Sequence, residues 1–77
     1  MTRMKNWRFF REGGNGYQAP ETLPLKLSGA VYGHPRFADG SIIKTSMIVN
    51  VLKSDDYLVA ITKSGTRYYL FTEDALV

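Results

Sequence analysis

This chain of 77 residues contains no cysteine and only one histidine, and it has no long hydrophobic run. Without cysteine it can form neither a disulfide nor a thiolate metal site, and one histidine is too few for a histidine-based metal centre. The absence of a long apolar run argues against a signal peptide and a membrane span. We therefore expect a cytoplasmic protein with no metal, no cofactor and no membrane partner.

The chain is short, so its margin of stability is expected to be small. A domain of this size buries only about 60% of the surface that its unfolded chain exposes. The hydrophobic content of 44% and aromatic content of 13% are nevertheless sufficient for a packed core. Self-association is a common further source of stability for so small a domain, so we expect a homo-oligomer.

Positive charge is concentrated at the N-terminus. The first eleven residues carry four basic side chains and no acidic one, whereas residues 12 to 77 carry six basic and seven acidic side chains. This asymmetry predicts a basic arm that contacts nucleic acid or a partner, although a solvated terminus is an alternative. The residues of the arm are Arg3, Lys5, Arg8 and Arg11.

Glycine and proline divide the chain into two parts. Three glycines lie between residues 13 and 16, and Pro20 and Pro24 follow them. This composition excludes regular structure, although "NWRFF" just before it could form a short strand. The sequence therefore predicts a basic N-terminal arm and Gly/Pro-rich loop over residues 1 to 24, and a small β-barrel domain over residues 25 to 77.

From Leu25 onward the pattern is typical of β structure. Apolar and polar residues alternate from Leu25 to Tyr32, where Gly29 suggests a bend or bulge. The segments "ADGS", "SDD" and "KSGT" predict turns, and "SIIKTSMIVNVLKS" predicts one long, bent strand. We expect an all-β fold, either a small, strongly bent antiparallel sheet or an SH3-like barrel of four to five strands. A short helical turn is expected at the C-terminus, with Thr72 as its side-chain cap.

Signals of catalysis are poor. The adjacent acids Asp55-Asp56 and Glu73-Asp74 occur where turns and helix starts favour acidic residues. His34 lies near Asp39 and Ser41 in sequence, but residues so close in a turn do not by themselves make a catalytic triad. The protein is therefore predicted not to be an enzyme.

The segment "GHPRF" is the most informative loop. Pro35 restricts its own backbone and that of His34, so His34 and Arg36 are presented by a stiff loop. Phe37 is expected to anchor the loop in the core, and a purely structural corner is the alternative. Polar residues of neighbouring turns, together with one tyrosine that could stack on a ligand, complete the predicted binding site. Its residues are His34, Arg36, Lys44, Thr45, Ser46, Ser64, Thr66 and Tyr68.

A longer pattern runs through most of the chain. It reads Y-x-A-P-E from Tyr17, G-x-V-Y-G-H-P-R-F-x-D-G-x-x-I-x-T-S from Gly29, and T-x-S-G-x-x-Y-x-L from Thr62. This pattern resembles a group of short, uncharacterised proteins of bacteria and their phages. The resemblance implies an accessory or phage-encoded protein rather than a metabolic enzyme.

These observations predict a non-enzymatic protein that binds or sequesters a phosphate-bearing ligand through the His34–Arg36 loop. The ligand could be a nucleotide or a nucleic acid. The alternative is an inhibitor or adaptor that docks on a host protein through its aromatic and basic surface. A third possibility is a general nucleic-acid binder that acts through the basic arm alone.

Overall fold

The protein is an all-β domain built from one six-stranded sheet. The computed structural model describes residues 1–11 and 23–76, and this part of the chain contains a single 3-10 turn and no other helix. The strands are β1 (Arg3–Arg11), β2 (Leu25–Tyr32), β3 (Ser41–Lys44), β4 (Ile48–Lys53), β5 (Tyr57–Thr62) and β6 (Arg67–Phe71). The 3-10 turn spans Thr72–Asp74 and lacks the side-chain cap expected from Thr72.

The strands lie in the order β3-β2-β1-β6-β5-β4. Neighbouring strands are antiparallel, except that β1 pairs with β6 in parallel, so the sheet is mixed rather than purely antiparallel. β1 therefore joins a β2–β3 hairpin to a β4–β5–β6 meander. The parallel contact is short, and the amide of Tyr69 donates to the carbonyl of Thr2 over 2.8 Å.

The sheet is strongly bent. β2 and β4 contact each other although three strands separate them in the sheet order. The bend follows from chain connectivity, because three residues join β3 at one edge to β4 at the other, and three residues reach only about 10 Å. The sheet remains open, since no strand pairing joins β3 to β4 in the described residues. The structure thus has six strands rather than four to five, and closure into a barrel is not shown.

Two predicted segments account for the difference in strand number. The long bent strand expected after residue 40 is two strands, β3 and β4, which lie at opposite edges of the sheet. Residues Arg3–Arg11 of the predicted arm form β1, an interior strand between β2 and β6. The predicted Gly/Pro-rich loop falls largely in residues 12 to 22, which lie outside the described residues.

A bulge in β1 explains the need for glycine at position 29. Lys5 pairs with Ala30 and Arg8 with Ser28, so Asn6 and Trp7 together oppose Gly29. Asn6 has a φ of 52°, a left-handed conformation that asparagine tolerates better than most residues. A Cβ atom on Gly29 would lie 2.5 Å from Cγ of Met4. The bend expected at Gly29 is therefore a bulge in the strand opposite it.

The core lies on the concave face of the bent sheet. It contains buried side chains from five of the six strands, and half-buried Trp7, Phe9, Leu25, Ile43 and Leu58 pack around them. Trp7 also fastens β1 to the end of β6, because its Nε1 donates to the carbonyl of Phe71 over 2.9 Å. The buried core residues are Met4, Leu27, Val31, Ile48, Ala60, Tyr68 and Leu70.

Candidate ligand-binding cleft

The structure brings all eight residues of the predicted binding site to one cleft of about 440 Å³. Three segments distant in sequence form it: the loop after β2, the connection between β3 and β4, and the turn between β5 and β6. The bend of the sheet makes this possible, because β3 and β6 are three positions apart in the strand order. The predicted residues that line the cleft are His34, Arg36, Lys44, Thr45, Ser46, Ser64, Thr66 and Tyr68.

Hydrogen bonds between side chains and the backbone of Gly33 hold the loop between β2 and β3 in place. The carboxylate of Asp39 accepts the amide proton of Gly33 over 2.9 Å, and the hydroxyl of Thr2 donates to the carbonyl of Gly33 over 3.3 Å. Gly33 has a φ of +74°, and a Cβ atom there would lie 2.7 Å from the carbonyl oxygen of Met1. Only glycine satisfies both requirements, so this residue sets the direction in which the loop leaves β2.

His34 forms one hydrogen bond within the loop and one to the sheet, each through a different ring nitrogen. The amide of Arg36 donates to Nδ1 over 3.0 Å, and Nε2 lies 3.3 Å from the hydroxyl oxygen of Tyr68. Because a backbone amide can only donate, Nδ1 must be the acceptor, and the neutral ring carries its proton on Nε2. His34 therefore donates to Tyr68. Its ring nitrogens contact neither Asp39 nor Ser41, the other members of the triad considered from sequence.

Tyr68 lies at the base of the cleft and belongs to the core. Its side chain is 4% exposed and its ring lies 6.0 Å from that of His34. Burial raises the pKa of Tyr68 above its ordinary value, so the phenol keeps its proton at neutral pH. The sequence left open which of Tyr68 and Tyr69 faces outward, and the structure buries Tyr68, so only its hydroxyl end is placed to serve a ligand.

Phe37 does not anchor the loop in the core, contrary to the expectation from sequence. Its side chain is 44% exposed, and its ring packs edge-on against His34 with 4.8 Å between the ring centroids. The loop is instead held by the hydrogen bonds of Gly33 and His34. This leaves one face of an aromatic ring available at the mouth of the cleft.

The two buried threonines at the cleft serve the structure. Thr45 extends the pairing of β2 and β3: its amide donates to Leu27, its hydroxyl accepts the amide proton of Leu27, and that hydroxyl donates to the carbonyl of Ser46. The hydroxyl of Thr62 similarly accepts the amide proton of Thr66 across the β5–β6 turn. The hydroxyl of Thr45 is thus less available to a ligand than the sequence suggests.

The charge lining the cleft is positive. Arg36 and Lys44 contribute cations, and no aspartate or glutamate is among the described residues that line it. Arg36 is exposed and its guanidinium has no partner within residues 1–11 and 23–76. The ammonium of Lys44 lies 5.7 Å from the ring centroid of Phe10. Such a lining favours an anionic ligand.

The four basic residues of the predicted arm lie along β1 and do not line the cleft. Arg3 is occupied by acids of the 3-10 turn, because its guanidinium lies 2.6 Å from Asp74 and 3.1 Å from Glu73. The hydrogen bond that the Arg3 guanidinium donates to Asp74 raises the pKa of Arg3. Lys5 and Arg8 lie over aromatic rings, and Arg11 donates to a backbone carbonyl. These residues therefore do not form one phosphate-binding patch with the cleft.

Four further residues line the cleft that the predicted site did not include: Pro35, Phe37, Ile43 and Thr62. Pro35 and Phe37 lie within "GHPRF" and were predicted to have only structural roles. Ile43 precedes Lys44 in a strand, and alternation alone does not show that it reaches the same opening. Thr62 could have been found from its position next to the "KSGT" turn.

The described residues contain no group of three histidine or acidic side chains able to hold a metal ion, and no helix long and apolar enough to cross a membrane. Comparison with known proteins gave no significant match to a family model, a curated protein or a solved structure.

Proposed function

We propose that this protein is a non-enzymatic binding protein that holds a phosphate-bearing ligand, a nucleotide or a nucleic acid, in the cleft. The observation that carries the proposal is the convergence of Arg36, Lys44 and the hydroxyls of two separate segments on one opening without a carboxylate. Arginine provides a planar set of donors suited to phosphate oxygens. Hydroxyl groups supply further donors of the kind that phosphate sites use.

The stiffness of the loop supports the same proposal. Arg36 follows Pro35, and its own amide is fixed to Nδ1 of His34. A side chain carried by an ordered backbone loses less conformational entropy when a ligand binds than one on a mobile loop. The bend that creates the cleft is also what an SH3-like barrel requires, and we propose that the fold is an open relative of that architecture.

Protein purified without denaturation from cells that express it should carry the ligand. Excess absorbance at 260 nm and a discrete mass adduct in native mass spectrometry are the expected results. Arg36→Ala should weaken binding by about tenfold or more, because it removes hydrogen bonds to a charged group. Arg67→Ala is the matched control. It removes the same charge, but Arg67 lies on the face of β6 opposite Tyr68 and does not line the cleft.

Three outcomes would contradict the proposal. Wild-type protein that carries no adduct and binds no nucleotide or oligonucleotide would leave the cleft without a ligand of this class. Equal losses in the Arg36 and Arg67 variants would show that general charge, rather than the cleft, controls binding. Loss of native circular dichroism in Arg36→Ala would assign this residue a structural role.

We also propose that the protein self-associates through the edge strand β4. Val49, Val51 and Leu52 are exposed there, and the outer side of β4 pairs with no strand in the described residues. Unpaired strands with apolar side chains favour edge-to-edge association. Val51→Lys should convert an oligomer to a monomer in light scattering. A wild-type monomer would contradict this.

A further inference from the structure

We infer that the ligand of the cleft is a single nucleoside phosphate, and that Tyr68 donates a hydrogen bond to one of its phosphate oxygens. This inference rests on the proposed function and adds two statements to it. The first concerns the polarity of the hydrogen bonds at the base of the cleft. The second concerns the size of the ligand and its aromatic part.

The tautomer of His34 determines whether the hydroxyl proton of Tyr68 is available to a ligand. The proton on Nε2 is donated to the hydroxyl oxygen of Tyr68, so that oxygen acts as an acceptor toward the histidine. The hydroxyl proton of Tyr68 is then not used by His34, and among the described residues no other group lies within hydrogen-bond distance of this hydroxyl. A buried hydroxyl needs a partner for its proton, so Tyr68 is a donor directed to whatever occupies the cleft.

The surroundings define the acceptor. Arg36 and Lys44 supply positive charge, and Tyr68 supplies a neutral donor that burial keeps protonated. A group that accepts from all three is an anionic oxygen rather than an amide or a sugar hydroxyl, which would leave charge uncompensated. A phosphate presents several such oxygens from one centre and can therefore satisfy donors from different segments of the chain.

The dimensions of the cleft favour a single nucleotide over a nucleic-acid strand. A volume of about 440 Å³ lies in the range of sites that enclose one drug-sized molecule. A polynucleotide instead requires a basic groove that continues across the surface for about four or more nucleotides. Here Arg3 is paired with Asp74 and the remaining basic residues of β1 do not line the cleft.

The aromatic part of the ligand is placed by Phe37. Its half-exposed ring packs on His34 at the mouth of the cleft, so one aromatic surface is ordered but not covered. Stacking of a base on such a surface contributes to binding whatever the base is. Inorganic phosphate would use the donors without Phe37, and a free nucleoside would use Phe37 without the donors.

The test uses isothermal titration calorimetry to compare four kinds of probe, each titrated into protein from which any bound ligand has been removed. The probes are the common nucleoside monophosphates, the corresponding nucleosides, inorganic phosphate, and a ten-nucleotide single strand of mixed sequence. At least one monophosphate should bind about tenfold or more tightly than its nucleoside and than inorganic phosphate. The single strand should bind no more tightly than that monophosphate.

Tyr68→Phe keeps the ring and removes only the hydroxyl. It should weaken binding of the monophosphate by about tenfold and leave binding of the nucleoside unchanged. Tyr69→Phe is the matched control, because its side chain projects from the other face of β6 and does not line the cleft. Circular dichroism confirms that both variants fold, and ¹H–¹⁵N spectra report the shift of the Gly33–Gly40 amides on binding.

The outcomes separate the inference from the function on which it rests. Binding of a monophosphate that Tyr68→Phe does not weaken would overturn the role of Tyr68 and leave the proposed function standing. A single strand that binds about tenfold more tightly than any monophosphate, with steep salt dependence, would identify the ligand as a nucleic acid rather than a single nucleotide. Failure of every probe to bind wild-type protein would refute the proposed function itself.

Discussion

Substitutions of His34 can separate its contribution to the loop from its contribution to Tyr68. The Nδ1 of His34 accepts the amide proton of the residue two positions later, as the side chain of an asparagine does in an Asx turn. His34→Asn should therefore keep the hydrogen bond to Arg36 and lose the contact with Tyr68. His34→Gln places its amide farther out and should keep only the second contact. His34→Ala loses both.

The magnitudes follow from the contacts. Each hydrogen bond contributes about 0.5–1.5 kcal/mol to the free energy of unfolding, and the edge-on contact with Phe37 adds about 0.5 kcal/mol, because Phe37 is largely exposed. His34→Ala should therefore cost about 1.5–3.5 kcal/mol, and His34→Asn about 1 kcal/mol less than that. This exceeds the cost of under about 0.5 kcal/mol expected for an exposed side chain.

The assay is urea denaturation followed by the fluorescence of the single tryptophan. Trp7 lies in β1 and its indole donates to Phe71, so its emission reports on the centre of the sheet. In a thermal melt of the same variants, a difference of 1 kcal/mol would correspond to about 4–8 °C in the melting temperature of a domain of this size. Equal stability of His34→Asn and His34→Ala would refute the reasoning. The Nδ1 acceptor would then contribute nothing, and the tautomer that makes Tyr68 a donor would lose its basis.

Three further predictions concern the sheet. Gly29→Ala should lower the free energy of unfolding in urea by about 1–3 kcal/mol, because its methyl group would overlap Met4. Adding Met4→Ala to the same chain should relieve part of the strain. Losses in the double variant that equal the sum of the two single losses would contradict this. Since burial raises the pKa of Tyr68, the folded state retains a proton that the unfolded chain releases above pH 10.0. The free energy of unfolding should therefore fall above that pH by up to about 1.4 kcal/mol per pH unit. Tyr68→Phe should lack this fall, and parallel plots of stability against pH for the two proteins would exclude the contribution of Tyr68. Arg3→Ala should lower the melting temperature more than Lys5→Ala, with a difference that shrinks in high salt; a salt-independent difference would exclude the ion pair with Asp74.

The turns and the half-buried strand could be predicted because each is encoded locally. Leu27, Gly29 and Val31 are buried and alternate with less buried residues, as the period-two pattern requires. β3 begins at the last residue of the predicted turn "ADGS", and β5 and β6 begin directly after the predicted turns "SDD" and "KSGT". Several residues that line the cleft could be predicted for the same reason, because polar side chains next to a turn lie at the ends of strands.

The sequence encodes β1 less clearly, because the bulge interrupts its pattern. Arg3 and Lys5 flank the buried Met4, but Asn6 and Trp7 oppose a single residue and shift the alternation by one position. After the bulge Arg8 is exposed and Phe9 is half-buried, so the strand reads as a run of mixed character. Four cations without an acid then resemble a solvated arm.

The position of β1 depends on partners at the far end of the sequence. Arg3 pairs with Tyr69 and its guanidinium meets Asp74, so the charges that would balance the arm lie about 70 residues away. No local pattern encodes such a pairing, because strand order depends on which edges meet when the sheet bends. The same bend brings β3 and β6 to one cleft. The residues of the site could therefore be predicted singly from their turns, whereas their convergence follows only from a central strand that the sequence does not reveal.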